Sequence, residues 1–75
     1  MAYQHVIASY LHTQDIASDT WVITHNLVQI APAVDCWVLH NGVMTNIIPL
    51  SVTATDPNTV TVVFSSNRTG YASVV

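Results

Sequence analysis

Apolar and polar positions along this chain recur with the period of strands. In residues 5–12, HVIASYLH, Val6, Ala8 and Tyr10 fall on one side and Ile7 and Leu11 on the other, as side chains of an extended backbone must. The polar run TQDIASD that follows reads as a loop or a single helical turn. Residues 21–25, WVITH, form a second strand closed by Asn26, a residue that tolerates turn conformations. Residues 27–32 are a connection ending at Pro32, since proline cannot donate to a central ladder and suits a strand's beginning or an edge. Residues 33–40 and 43–50 flank Asn41-Gly42, the strongest short hairpin signal, because a type I′ turn needs positive φ at both positions. Residues 51–55 read as a continuation of that second arm past a kink at Pro49. Asp56-Pro57-Asn58 is a turn in which Pro57 pre-sets φ. Residues 59–64 alternate with Val60, Val62 and Phe64 inward and Val63 interrupting the outer face. SSNRTG, ending at Gly70, is the next loop, and residues 71–75 are the last strand.

Val, Ile, Thr, Tyr and Trp dominate while Glu and Lys are absent, which favours strands over helices. The expected fold is therefore all-β: a small antiparallel sandwich or barrel of about six to seven short strands, one domain over residues 1–75. Several of these strands are apolar on both faces. Val34, Cys36 and Val38 oppose Trp37 and Leu39, and Val43 and Ile47 oppose Met44, Ile48 and Leu50. An antiparallel sheet with one solvated face should instead alternate. Seventy-five residues provide a single marginal core, so cover for the second face is expected from other copies of the chain. Tyr3, Ile7, Leu11, Trp37, Leu39 and Val63 are the candidate interface residues, while His25, Asn26, Asn41, Gly42, Pro57 and Gly70 are assigned to turns and local structure.

Charge strengthens that expectation. Only 7% of residues are charged, against about 25% in ordinary domains. Arg68 is the one basic residue beside Asp15, Asp19, Asp35 and Asp56, for a net charge of −3. Binding to phosphate backbones depends on Lys and Arg displacing counterions, so nucleic acid is not an expected partner. Apolar residues reach 51% but are interspersed with Thr, Ser and Asn, leaving no run of the roughly 18 that a membrane helix needs. The N-terminal residues show no basic segment followed by an apolar one, so a signal peptide is not indicated.

The chemistry-bearing residues are scattered. Trp21-to-Leu27, WVITHNL, is echoed by Trp37-to-Gly42, WVLHNG, yet Trp21 and His25 share a strand face whereas Trp37 and His40 point oppositely. The echo is two aromatic strands meeting Asn-containing turns, not a duplicated site. The four histidines lack the close spacing of zinc ligands, and Cys36, the only cysteine, allows no internal disulfide. Cys36 and His40 lie roughly 13 Å apart along a strand, too far for a nucleophile and its base. A carboxylate pair would have to be assembled from Asp19, Asp35 or Asp56. No cofactor, metal or catalytic residue is assigned, and the chain is expected not to be an enzyme. Trp21, Trp37, Tyr3, Tyr10 and Tyr71 could stack on sugars, although aromatics in so small a domain serve first as core or interface.

One larger pattern stands out. W-V-I-T-H-N-L, a proline-bearing connection at Ala31-Pro32-Ala33-Val34, an N-G turn, Ile48-Pro49, D-P-N-T-V-T-V-V-F-S-S and T-G-Y-A-S-V-V together resemble a small β domain common in tailed-bacteriophage virion proteins. The likeness covers residues 21–75 and leaves residues 1–20 as an added strand and loop. Proteins of that kind often carry a glycine soon after H-N-L, where this chain has Val28-Gln29, so a longer turn is expected here. The resemblance implies a virion protein of the decoration, tail or fibre type, made in the host cytoplasm. It would act through contacts with its own copies, with a trimer favoured, and with other virion proteins. The alternative it implies is a host glycan or receptor module at a fibre tip.

Overall fold

The computed structural model describes residues 9–75, and those residues build one antiparallel sheet of five strands. β1 is Tyr10–Thr24, β2 Val34–His40, β3 Val43–Ile47, β4 Ser51–Asp56 and β5 Thr59–Val74. The described residues are thus all-β and antiparallel, with five strands among them where six or seven were expected of the chain, two of the five being long. Tyr3 and Ile7, with most of the expected first strand, lie outside the described residues.

β5 is the spine. β1 lies along one side of it, Tyr10 opposite Val74 at one end and Thr24 opposite Thr59 at the other. Its other side is shared: β4 pairs with residues 59–63, and β2 with residues 70–74. β3 then adds to β2. Residues 51–56 therefore do not prolong the arm that begins at Val43. Ile48-Pro49-Leu50 hands the chain to the far half of β5, where the Leu50 N–H donates to the Val63 carbonyl at 2.8 Å.

Both stretches expected as loops, 13–19 and 65–70, run inside strands. The β1–β5 register shifts between Gln14 and Ser18 and again between Ser18 and Thr20. A bulge leaves ladder groups unpaired, and the polar side chains that suggested a loop take them up locally. Gln14 Nε2 donates to the Ile16 carbonyl, Ser18 Oγ to that of Thr20, and Trp21 Nε1 to that of Ser18, at 2.8, 2.9 and 3.0 Å. These local bonds tie the irregular stretch of the strand to itself.

The core follows the alternation. Trp21 and Ile23 from β1, Cys36 and Val38 from β2, and Val60, Val62, Phe64, Ala72 and Val74 from β5 form one buried cluster. It draws on both halves of β5, so residues 60–64 and 72–74 contribute to a single core. Trp21 is the keystone, with its ring edge-to-face on Phe64 at 4.7 Å, a favoured aromatic geometry. Gly70 lies where β5 crosses β2 at Val38. A Cβ there would overlap the Trp37 carbonyl oxygen, so only glycine allows that approach.

Candidate interaction surface

The turns come first, since they fix the ends of the strands. Asn41 and Gly42 have φ of 51° and 78°, the sign that a type I′ hairpin requires. Pro57-Asn58 joins β4 to β5, and Asp56 Oδ1 accepts the Asn58 N–H at 2.7 Å. Buried His25 accepts the Leu27 N–H at Nδ1, at 3.0 Å. Nδ1 is thereby an acceptor in the neutral ring, the proton sits on Nε2, and that atom is buried with no partner among the described residues. The His25 and Asn26 N–H groups donate to the Asn58 carbonyl, the Val28 N–H to Asn58 Oδ1 and the Gln29 N–H to the Pro57 carbonyl. H-N-L and D-P-N, far apart in sequence, are two halves of one hydrogen-bonded clasp. Nothing in the sequence of either half announces the other, since the donors are backbone groups.

Trp21 and His25 are buried, whereas Trp37 and His40 are exposed, so the two echoed segments present different constellations. Among the described residues no three His, Cys, Asp or Glu side chains are grouped to hold a metal, and no helix is long and apolar enough to cross a membrane. Cys36 is buried; desolvation first, then the neighbouring Asp35 carboxylate, push its thiol up to about 11.

The outer face of the β1–β5–β2–β3 half carries a group of open apolar side chains among polar ones. Cross-strand pairing aligns Thr13, Tyr71, Trp37 and Asn46 in one row, with Leu11, Ser73 and Asp35 on one flank and Leu39 and Met44 on the other. Trp37 is 44% exposed, Leu39 52% and Leu11 62%, with Tyr71 and Met44 similarly open. Beside them lies a shallow depression of about 320 Å³ lined by Thr13, Gln14, Asp15, Leu39, Met44, Thr69, Gly70 and Tyr71. Three of the expected interface residues, Leu11, Trp37 and Leu39, thus share one surface. Val63 is half-buried on the other half of the sheet, between Thr20 and Ser51, and is separate from it. Met44 belongs to the surface but was not among the candidates, and Tyr71 was weighed only with the other aromatics; the pairing of β5 with β2 and of β2 with β3 brings them there. A second depression, of about 170 Å³, opens near Phe64 and is lined by Ile47, Ile48, Pro49, Leu50, Ser65 and Arg68.

Comparison with known proteins yields no match: no family model, no curated protein and no solved structure aligns significantly with the chain.

Proposed function

We propose that this chain is a non-enzymatic structural component of a bacteriophage particle, of the decoration, tail or fibre type. It would act through contacts among copies of itself, with threefold symmetry favoured, and with other virion proteins. The observation that carries this reading is the outer face of Leu11, Tyr71, Trp37, Leu39 and Met44, open to solvent in a chain with 7% charged residues. Exposed apolar surface grouped in this way marks an interaction site, and aromatic and Met side chains are those enriched at subunit interfaces. Within the assembly the sheet would act as a small sandwich whose outer layer comes from a neighbour.

Two details support the phage resemblance. Its separated motifs meet in the His25–Asn58 clasp, which gives their co-occurrence a physical cause. Val28 has φ of +53°, a left-handed conformation costly for a β-branched residue, where the resembling proteins often carry glycine. A second reading, host-glycan binding, draws on Trp37 and Tyr71 as directly paired, half-exposed neighbours beside the larger depression.

Light scattering coupled to size exclusion tests the first reading. The native chain is expected as a trimer, and Trp37→Ser with Leu39→Ser as a smaller species. A folded native monomer at micromolar concentration would refute it. Titration of host polysaccharide with Trp fluorescence as readout tests the second; an unchanged spectrum removes it.

A further inference from the structure

Arg68, the only basic side chain of the chain, is placed unusually. Its Nε is buried and has no hydrogen-bond partner among the described residues. A buried donor left unpaired is costly, more so when it belongs to a charged group. Arg68 lines the smaller depression, whose apolar wall includes Ile48, 95% exposed, and Leu50, also open. A cationic fork ringed by apolar residues is the composition of an interface hot spot, and an arginine fork matches a carboxylate.

The complementary surface is on the same chain. Asp19 is hydrogen-bonded by Thr20 Oγ1, and Asp56 caps the Asn58 N–H. Asp15 and Asp35 are exposed and both flank the open apolar group of the outer face, but only Asp15 lines the larger depression, beside Leu39, Met44 and Tyr71. That hollow can admit a protruding aliphatic side chain next to a carboxylate.

We propose that Arg68 of one copy pairs with Asp15 of the next, with Ile48 and Leu50 seated against Leu39, Met44 and Tyr71. The two surfaces differ, so the contact is head-to-tail, and such contacts either close into rings or run on as filaments. Threefold closure would make each copy donate one arginine and receive one. The inference rests on the self-association reading and specifies its contact. An apolar patch alone would leave the pairing partner open; the charge complementarity between the single arginine and the exposed Asp15 beside the larger depression is what selects a second copy of this chain.

Sedimentation of the full-length chain and its variants tests the pairing. Arg68→Gln and Asp15→Asn should each weaken assembly by about tenfold or more, as expected for loss of one member of a desolvated charge pair. The exchanged double variant, Asp15→Arg with Arg68→Asp, should recover most of it. Should the exchange prevent folding, cysteine cross-linking decides: mixed Asp15→Cys and Arg68→Cys copies should form a disulfide between them, in a background lacking Cys36. Native assembly that persists unchanged in Arg68→Gln, or cross-links only between like copies, overturns the pairing and leaves self-association standing. Restoration by an Asp35 exchange instead of Asp15 overturns the choice of carboxylate. A native chain that is monomeric removes both proposals.

Discussion

Replacing Gly70 by alanine should unfold this domain. The added Cβ would overlap the Trp37 carbonyl oxygen and sit 2.9 Å from Val38 Cα and 3.0 Å from the Trp37 carbonyl carbon. Carbon atoms at rest are about 3.5–4.0 Å apart, so β2 would have to retreat from β5 by the better part of an ångström. All the colliding atoms are backbone, so no rotamer change relieves the overlap. Overpacking of this kind costs about 1–3 kcal/mol, and one lost ladder hydrogen bond adds about 1 kcal/mol. The positive φ of 151° at this position adds roughly 1 kcal/mol or more for a residue with a Cβ. Together these rival the roughly 3–5 kcal/mol that a core of this size supplies. Gly42→Ala is the control: φ is +78° there, but nothing lies within 4 Å of the added atom, so only a backbone cost of about 1 kcal/mol is expected. Urea unfolding followed by far-ultraviolet circular dichroism distinguishes them. A Gly70→Ala protein as stable as Gly42→Ala would refute the close approach of β5 to β2.

Val28→Gly should stabilise the chain by about 1 kcal/mol, because glycine adopts φ of +53° without steric cost; a lower urea midpoint would contradict this. Asn58→Ala removes the acceptor of the Val28 N–H while leaving the backbone half of the clasp intact. It should cost about 1 kcal/mol and speed proteolysis within residues 26–30, and an unchanged cleavage rate would count against the clasp. The Cys36 thiol, pushed up from 9.0 to about 11 by burial and then by Asp35, keeps its proton in the folded chain after the unfolded chain has released it. Stability should therefore fall as pH rises from about 9 to 11. Cys36→Ala should show a shallower decline, and equal slopes would refute the assignment.

Strand character, the Asn41-Gly42 and Pro57-Asn58 turns, and the inward set of Val60, Val62 and Phe64 were legible from sequence because each rests on local chemistry: β-branched alternation, positive φ, and a pre-set proline. The length of β1 and β5 was not. TQDIASD and SSNRTG carry loop composition, and they run in strands as long partners across a bulged ladder, with local hydrogen bonds from Gln14, Ser18 and Trp21. The placement of β4 on β5 beyond Pro49, and the clasp that joins His25 to Asn58, are likewise long-range pairings. The two-faced apolar pattern of these strands raised the expectation of external cover. Which residues stand open together, Trp37 with Tyr71 and Met44 but not with Val63, was decided by tertiary structure. Side-chain period fixes the face of a strand on which a residue lies, whereas its neighbours on that face depend on strand order and register, which arise from contacts distant in sequence.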